Sequence, residues 1–227
     1  MMPERADRIA RIVIDRYGTT FAAESGITLR DKPSPLWRLL VLTVLLSARI
    51  DATLAVRSAR ELSRAGWRTP QRMLETTWQE RVDALGRGGY RRYDERTSTR
   101  LAELATDVRD EWGSDLRRLH DHGGDDAERL ANLLQRFKGV GPTGATIFLR
   151  EVQAVWPGLV PYADPIAADG AERLGLPRDP VALRGVANDD EFGRLVAGCV
   201  RAARSDAIVD DVTAAAHGVA RRSGRAG

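Results

Sequence analysis

"QRFKGVGPTGATIF", residues 135–148, leaves a helical pattern and returns to it within a few residues. Phe137 reads as the end of one helix and Pro142 as the start of the next. Between them two glycines flank a single valine, although a tight turn needs only one. Gly139 and Gly141 can take backbone angles closed to other residues, and they leave no side chain over the turn. Amides near Gly139, Gly141 and Thr143 can then point outward. The N-terminus of the following helix adds partial positive charge, and Lys138 adds a full one. Together these features suit an anion such as a phosphate. The plainer alternative is an αα-hairpin with a glycine-rich turn and no ligand.

Outward from this turn, the chain is helical almost throughout. Apolar residues recur at helical spacing, and no stretch alternates as a strand would. Residues 4–17 form an amphipathic pattern. "SPLWRLLVLTVLLSA" predicts a helix buried on most sides, with Ser34 as cap and Pro35 in the first turn. Asp51 caps a helix over 52–65, Thr69 starts a short one, and Thr77 with Glu80 forms a capping box. "GRGGYRR", 86–92, reads as a glycine-rich loop before a polar helix over 94–112. Asp125 caps 126–137, Pro142 opens 142–154, and Asn188 with Glu191 caps 189–203. A last helix covers 206–221, and "RRSGRAG" at the end reads as frayed. The fold class is therefore all-α. The loop "VWPGLVPYADP", 155–165, carries three prolines and interrupts the pattern.

The chain has 227 residues, enough for one or two small domains. Its start lacks the layout of a secretory signal, so a cytoplasmic protein is expected, and no membrane partner. Cys199 is the single cysteine, which excludes an internal disulfide or a four-cysteine cluster, and its apolar helix face points to core packing. His120 and His122, in "LHDHGG", read as a solvated turn rather than a metal site. The five tryptophans read as core. A net charge of +3 and a pI near 9.4 are compatible with a polyanion partner. Lys32 and Lys138 are the only lysines among 35 basic residues. A mechanism needing a side-chain amine thus has two candidates.

The pattern F-K-G-V-G-P-T-G-A between two apolar helices is a helix-hairpin-helix signature, which grips the backbone of one DNA strand without reading bases. "LLQRFKGVGPTGATIFLREV" resembles the hairpin of the endonuclease III superfamily of DNA glycosylases. "LLVLTVLLSARIDA", 39–52, and "YADPIAADGAERLGL", 162–176, resemble two further landmarks of that family, in family order. The resemblance covers roughly residues 35–176. It implies two helical domains with a cleft between them. One would span 35–154 and hold the hairpin, 126–154; the other would join 1–34 to 155–227.

The resemblance also implies roles. Asp164, 23 residues after Gly141, matches the catalytic aspartate; on its own it reads equally as a helix cap before Pro165. Asp169 is a weaker second candidate that reads as solvent-facing. Lys138, Gly139, Val140, Gly141 and Thr143 would hold DNA phosphates. Thr143 stands where members with strand-cleaving activity carry a lysine, so a monofunctional glycosylase is expected. Arg49, after "LLSA", matches the residue that fills the gap left by a flipped base; a surface arginine is the other reading. Arg91 and Arg92, with Tyr90 or Tyr93, match a second loop near DNA, or else a solvated basic loop. Tyr162 is the candidate base-pocket aromatic. Thr43 stands where relatives that remove adenine carry a glutamate. No cofactor and no iron–sulfur cluster are expected, and a monovalent cation at the hairpin is the one ion implied. The expected partner is double-stranded DNA holding a damaged base, an alkylated purine being the first candidate, with the protein a monomer. The alternative is a non-enzymatic DNA-binding protein that retains the fold.

Overall fold

A computed structural model describes residues 2–223, and within them every element is helical. The carboxyl-terminal residues 224–227 lie outside the described residues. The helices are α1 (Met2–Tyr17), α2 (Phe21–Glu24), α3 (Pro33–Leu46), α4 (Ala52–Arg64), α5 (Pro70–Leu74), α6 (Trp78–Arg87) and α7 (Asp94–Trp112). There follow α8 (Arg117–Gly123), α9 (Ala127–Leu134), α10 (Pro142–Val152), α11 (Pro165–Arg173), α12 (Pro180–Arg184), α13 (Asp189–Ala202) and α14 (Asp206–Ser223). Among the described residues no helix is long and apolar enough to cross a membrane.

Two compact units result, one of residues 21–159 and one of 1–20 with 160–227. These bounds differ from the division at 35 and 154 expected from the resemblance. Residues 21–34 and 155–159 belong to the central unit because polar anchors hold them there. The Glu151 carboxylate accepts from the amides of Phe21 and Ala22 at 3.4 and 2.8 Å. Trp156 Nε1 donates to Asp31 at 3.0 Å.

In the central unit α3 is the axis. Leu36, Trp37 and every residue from Leu39 to Leu45 are buried, so α4 and α10 can pack on different sides of it. The helix starts earlier than Ser34 would allow. Lys32 is its N-cap, without a side-chain bond, and Pro33 and Pro35 both fall in the first turn. Missing N–H groups cost nothing there. The caps Asp51, Thr69 and the Thr77–Glu80 box form as expected. Asp126, not Asp125, caps α9, accepting from the amides of Glu128 and Arg129 at 3.0 Å. Asp125 instead faces His120 Nε2 at 3.0 Å.

"LHDHGG" is a helix rather than a solvated turn. His120 stacks on buried Trp156 with ring centroids 4.2 Å apart, and His122 tilts against Trp112 at 5.8 Å. Trp37 and Trp156 are core, whereas Trp78 is 41% exposed. It opens α6 one turn ahead of that helix's buried face (Arg81, Ala84, Leu85).

The unit formed by the chain ends packs α13 against α1 and α11. Close approach at two glycines makes this possible. A side chain at Gly198 would strike Val13, and one at Gly170 would strike the Cys199 carbonyl. Arg194 and Arg201 of α13 donate to the carbonyls of Ile14 and Thr19, closing the end of α1. Cys199 is fully buried, and burial pushes its thiol up to about 12, so it stays a neutral packing group.

Candidate nucleic-acid interface

The turn between α9 and α10 is longer than the sequence pattern implies. α9 stops at Leu134, so residues 135–141 form the connection. Phe137 and Val140 turn inward and are buried, which anchors the loop from below. The Val140 amide donates to the Phe137 carbonyl at 3.1 Å. The Val140 side chain is therefore core, and only its backbone is left for a ligand.

The two glycines differ. Gly139 has φ 90°, a conformation that excludes most L residues. Gly141 has φ −94° and ψ −173°, extended backbone open to any residue. Both glycines can take angles closed to other residues, and only Gly139 does so. A Cβ built at Gly141 would meet nothing within 4 Å. Neither strain nor packing inside the protein accounts for this glycine. What its absent side chain provides is an open approach to the loop backbone. Among the described residues the amides of Gly139, Gly141 and Thr143 have no hydrogen-bond acceptor, and α10 has no side-chain cap. Thr143 is exposed at the second position of α10. The loop thus presents unspent donors at a helix N-terminus with no side chain across them.

This predicts a separable effect for Gly141→Ala. Thermal stability should be unchanged, because the backbone angle and the space both admit a methyl. If the loop binds DNA as the sequence resemblance implies, affinity for undamaged duplex DNA should fall about tenfold, corresponding to roughly 1.4 kcal/mol. Fluorescence anisotropy beside a thermal melt checks both halves.

Lys138 is exposed. Its amide donates to Asp107 Oδ2 at 3.1 Å, and its Nζ lies 3.6 Å from Glu103 Oε1. Both carboxylates belong to α7, so the loop is tied to that helix. A surface pair of this kind contributes roughly 0–1 kcal/mol, little enough for a phosphate to compete. Arg100 of α7 lies against Gly139, its Cδ 3.4 Å from where a Cβ would stand. Sequence reading overlooked Arg100. The signal was its spacing with Arg96, one turn apart on a helix read only as polar.

Arg49 is exposed just beyond α3. Thr43 of α3 and its C-cap Ser47 border Gly144 in the first turn of α10, so the turn carrying Arg49 follows a helix docked on the hairpin. Thr43 itself is fully buried, and its Oγ1 has no partner among the described residues. Thr43→Val keeps the shape and removes the unsatisfied hydroxyl. It should raise stability by about 1 kcal/mol, a rise in Tm of roughly 2–4 °C in a calorimetric scan.

Arg91 and Arg92 are exposed ahead of α7, with the Arg92 guanidinium 5.3 Å from the Tyr93 ring centre. Tyr90 is not available for stacking. It is 2% exposed, and its hydroxyl accepts from Thr97 Oγ1 at 3.2 Å. The first two residues of the expected loop "GRGGYRR", Gly86 and Arg87, are the end of α6. A side chain at Gly88 would collide with the Ser58 backbone, so that glycine serves the α4–α6 crossing.

Asp164 and Tyr162 belong to the unit formed by the chain ends. Asp164 is the N-cap of α11, its Oδ1 accepting from the Ala167 amide at 2.9 Å. The cap expected before Pro165 therefore forms. The residue is 4% exposed. The bond fixes one carboxylate oxygen against the helix N-terminus, where negative charge is favoured. Tyr162, two residues earlier, is half-buried. Asp169 faces solvent, paired with Arg178 at 2.6 Å. No group of three or more His, Cys, Asp or Glu able to hold a metal occurs among the described residues.

No protein-family model and no curated protein matches the chain. Among solved structures it is similar to a trapped covalent intermediate of endonuclease III with DNA, an estranged-adenine complex. The identity is 19%, the match covers 84% of this chain and 82% of that one, and the TM-score is 0.46.

Proposed function

We propose that the protein grips the backbone of duplex DNA through the loop 138–143 and acts as a monofunctional DNA N-glycosylase of base-excision repair. The observation that carries the DNA half is Gly141, a glycine demanded by nothing inside the protein and set among unpaired amides. The catalytic half rests on Asp164 and on the three sequence landmarks. Departure of a base builds positive charge on the sugar. A carboxylate held by a helix N-terminus can stabilise that cation or orient a water towards it. The aspartate would act on the sugar, so the reaction asks for no amine nucleophile. Thr143, where a lysine would attack, leaves the strand intact under this reading. Arg49 would enter the duplex when the base leaves, and Tyr162 would line the base pocket. The carbonyls of Lys138, Gly139 and Val140 accept no bond from the described residues, and a monovalent cation among them belongs to the proposal. An alkylated purine is the first substrate to try, because its glycosidic bond is already weak.

The second reading is a DNA-binding protein without chemistry. It is favoured by the depth of Asp164 and by its capping bond, both natural for a purely structural aspartate.

The test is a panel of short duplexes carrying alkylated purines, oxidised pyrimidines, uracil or mispairs, each read with and without alkali. Strand breaks that appear only after alkali support the monofunctional enzyme. Breaks without alkali overturn the reading of Thr143 and turn attention to Lys138. Salt-sensitive binding with no cleavage of any duplex supports the second reading.

A further inference from the structure

The α7 face beneath the hairpin carries Arg96, Arg100, Glu103 and Asp107, spaced by four, three and four residues and so aligned in one stripe. Three of the four touch the loop. Asp107 holds the Lys138 amide at 3.1 Å, Glu103 faces Lys138 Nζ at 3.6 Å, and the Arg100 side chain lies alongside Gly139. The stripe is polar in charge order, basic at its amino-terminal end and acidic at the other. Each acidic member already has a role in holding the loop. Among the described residues neither Arg96 nor Arg100 has an ion-pair or hydrogen-bond partner, and neither belongs to the buried core. Arg100 also sits near enough to Tyr90 for its charge to act on that hydroxyl. Burial raises the Tyr90 hydroxyl, while the bond from Thr97 and the Arg100 charge oppose the rise.

We infer that Arg100 and Arg96 form a second phosphate rail that continues the DNA strand from the hairpin amides along α7 towards its amino-terminal end. The inference rests on the hairpin binding DNA. Its physical basis is direction. A strand leaving Gly139 towards Glu103 and Asp107 meets two carboxylates, whereas one leaving over Arg100 meets two cations without competing partners. Residues one helical turn apart stand about 5–6 Å apart at Cβ, and two extended guanidiniums from them can reach successive phosphates. Glu103 then acts as a brake, holding Lys138 away from the strand.

The experiment is the salt dependence of binding of the full chain to an undamaged duplex. Each phosphate contact contributes about 0.9 to the slope of log K against log salt. Arg100→Ala and Arg96→Ala should each lower the slope by about that amount, with melting unchanged. Arg100→Lys should keep the slope. Arg72→Ala, an exposed arginine of α5, should leave it unaltered. Glu103→Gln should tighten binding about threefold by releasing Lys138. A wild-type slope unmoved by Arg100→Ala overturns the rail while leaving the hairpin reading intact. So does weaker binding at constant slope, which marks a structural effect. A wild type that binds no duplex in a salt-dependent way overturns the hairpin reading, and the rail with it.

Discussion

Asp164→Asn should abolish base removal while leaving the protein folded. The substitution is chosen for what it preserves. Asparagine caps a helix about as well as aspartate, and its side-chain oxygen can accept from the Ala167 amide as Asp164 Oδ1 does at 2.9 Å. What it removes is charge at a site that is 4% exposed. If that charge stabilises a cationic sugar or activates water, the single-turnover rate on the responsive duplex should fall roughly 10²–10⁴-fold. Affinity for undamaged DNA and the melting temperature should stay at wild-type values. Asp164→Ala gives the contrasting result. Loss of the cap should cost about 1 kcal/mol in addition to activity. An Asp164→Asn protein that excises at the wild-type rate would reduce this aspartate to its structural role and leave the second reading standing.

Gly170→Ala should be the most damaging single methyl in the unit formed by the chain ends. Gly170 lies in α11, facing α13 where the backbones approach most closely. A Cβ there would overlap the Cys199 carbonyl oxygen and crowd the Ala203 amide. Both neighbours are backbone, so no rotamer change relieves the clash, and the two helices must separate. Overpacking of this kind costs about 3 kcal/mol or more, which lowers Tm by roughly 6–12 °C in a protein of this size. Because α11 begins at Asp164, parting it from α13 should also lower excision. Gly193→Ala, on α13 with open space around its Cβ position, is the matched control and should leave Tm within a degree or two. A melt of Gly170→Ala indistinguishable from that control would show that the helices do not cross this closely in solution.

The readings that held are those whose causes are local. Asp51, Thr69 and Thr77 cap their helices because a short polar side chain beside free amides decides the matter within three residues. The all-α class was legible because helical periodicity recurs along the chain and nothing competes with it. Asp164 was legible as a cap for the same reason, as Asp directly before a first-turn proline. The readings that failed depended on what lies across from a residue. Asp125 and Asp126 are equal candidates until His120 takes one of them. Tyr90 matches, with Tyr93, a loop near DNA, but it is buried and bonded to Thr97. Gly88, Gly139 and Gly141 look alike in a string of letters. The first meets the Ser58 backbone, the second needs a positive φ, and the third meets nothing.

Local chemistry along the chain thus settled where most helices start, which of them are amphipathic, and where the glycine-rich turn stands. Which glycine is spare, which arginine lies beside that turn, and how residues 21–34 attach were settled by contacts between distant parts of the chain. The physical reason is range. Capping and periodicity act within one helical turn of the chain. The contact that sets Arg100 beside Gly139 joins residues 39 positions apart, and α7 and the hairpin loop share two further anchors on Lys138.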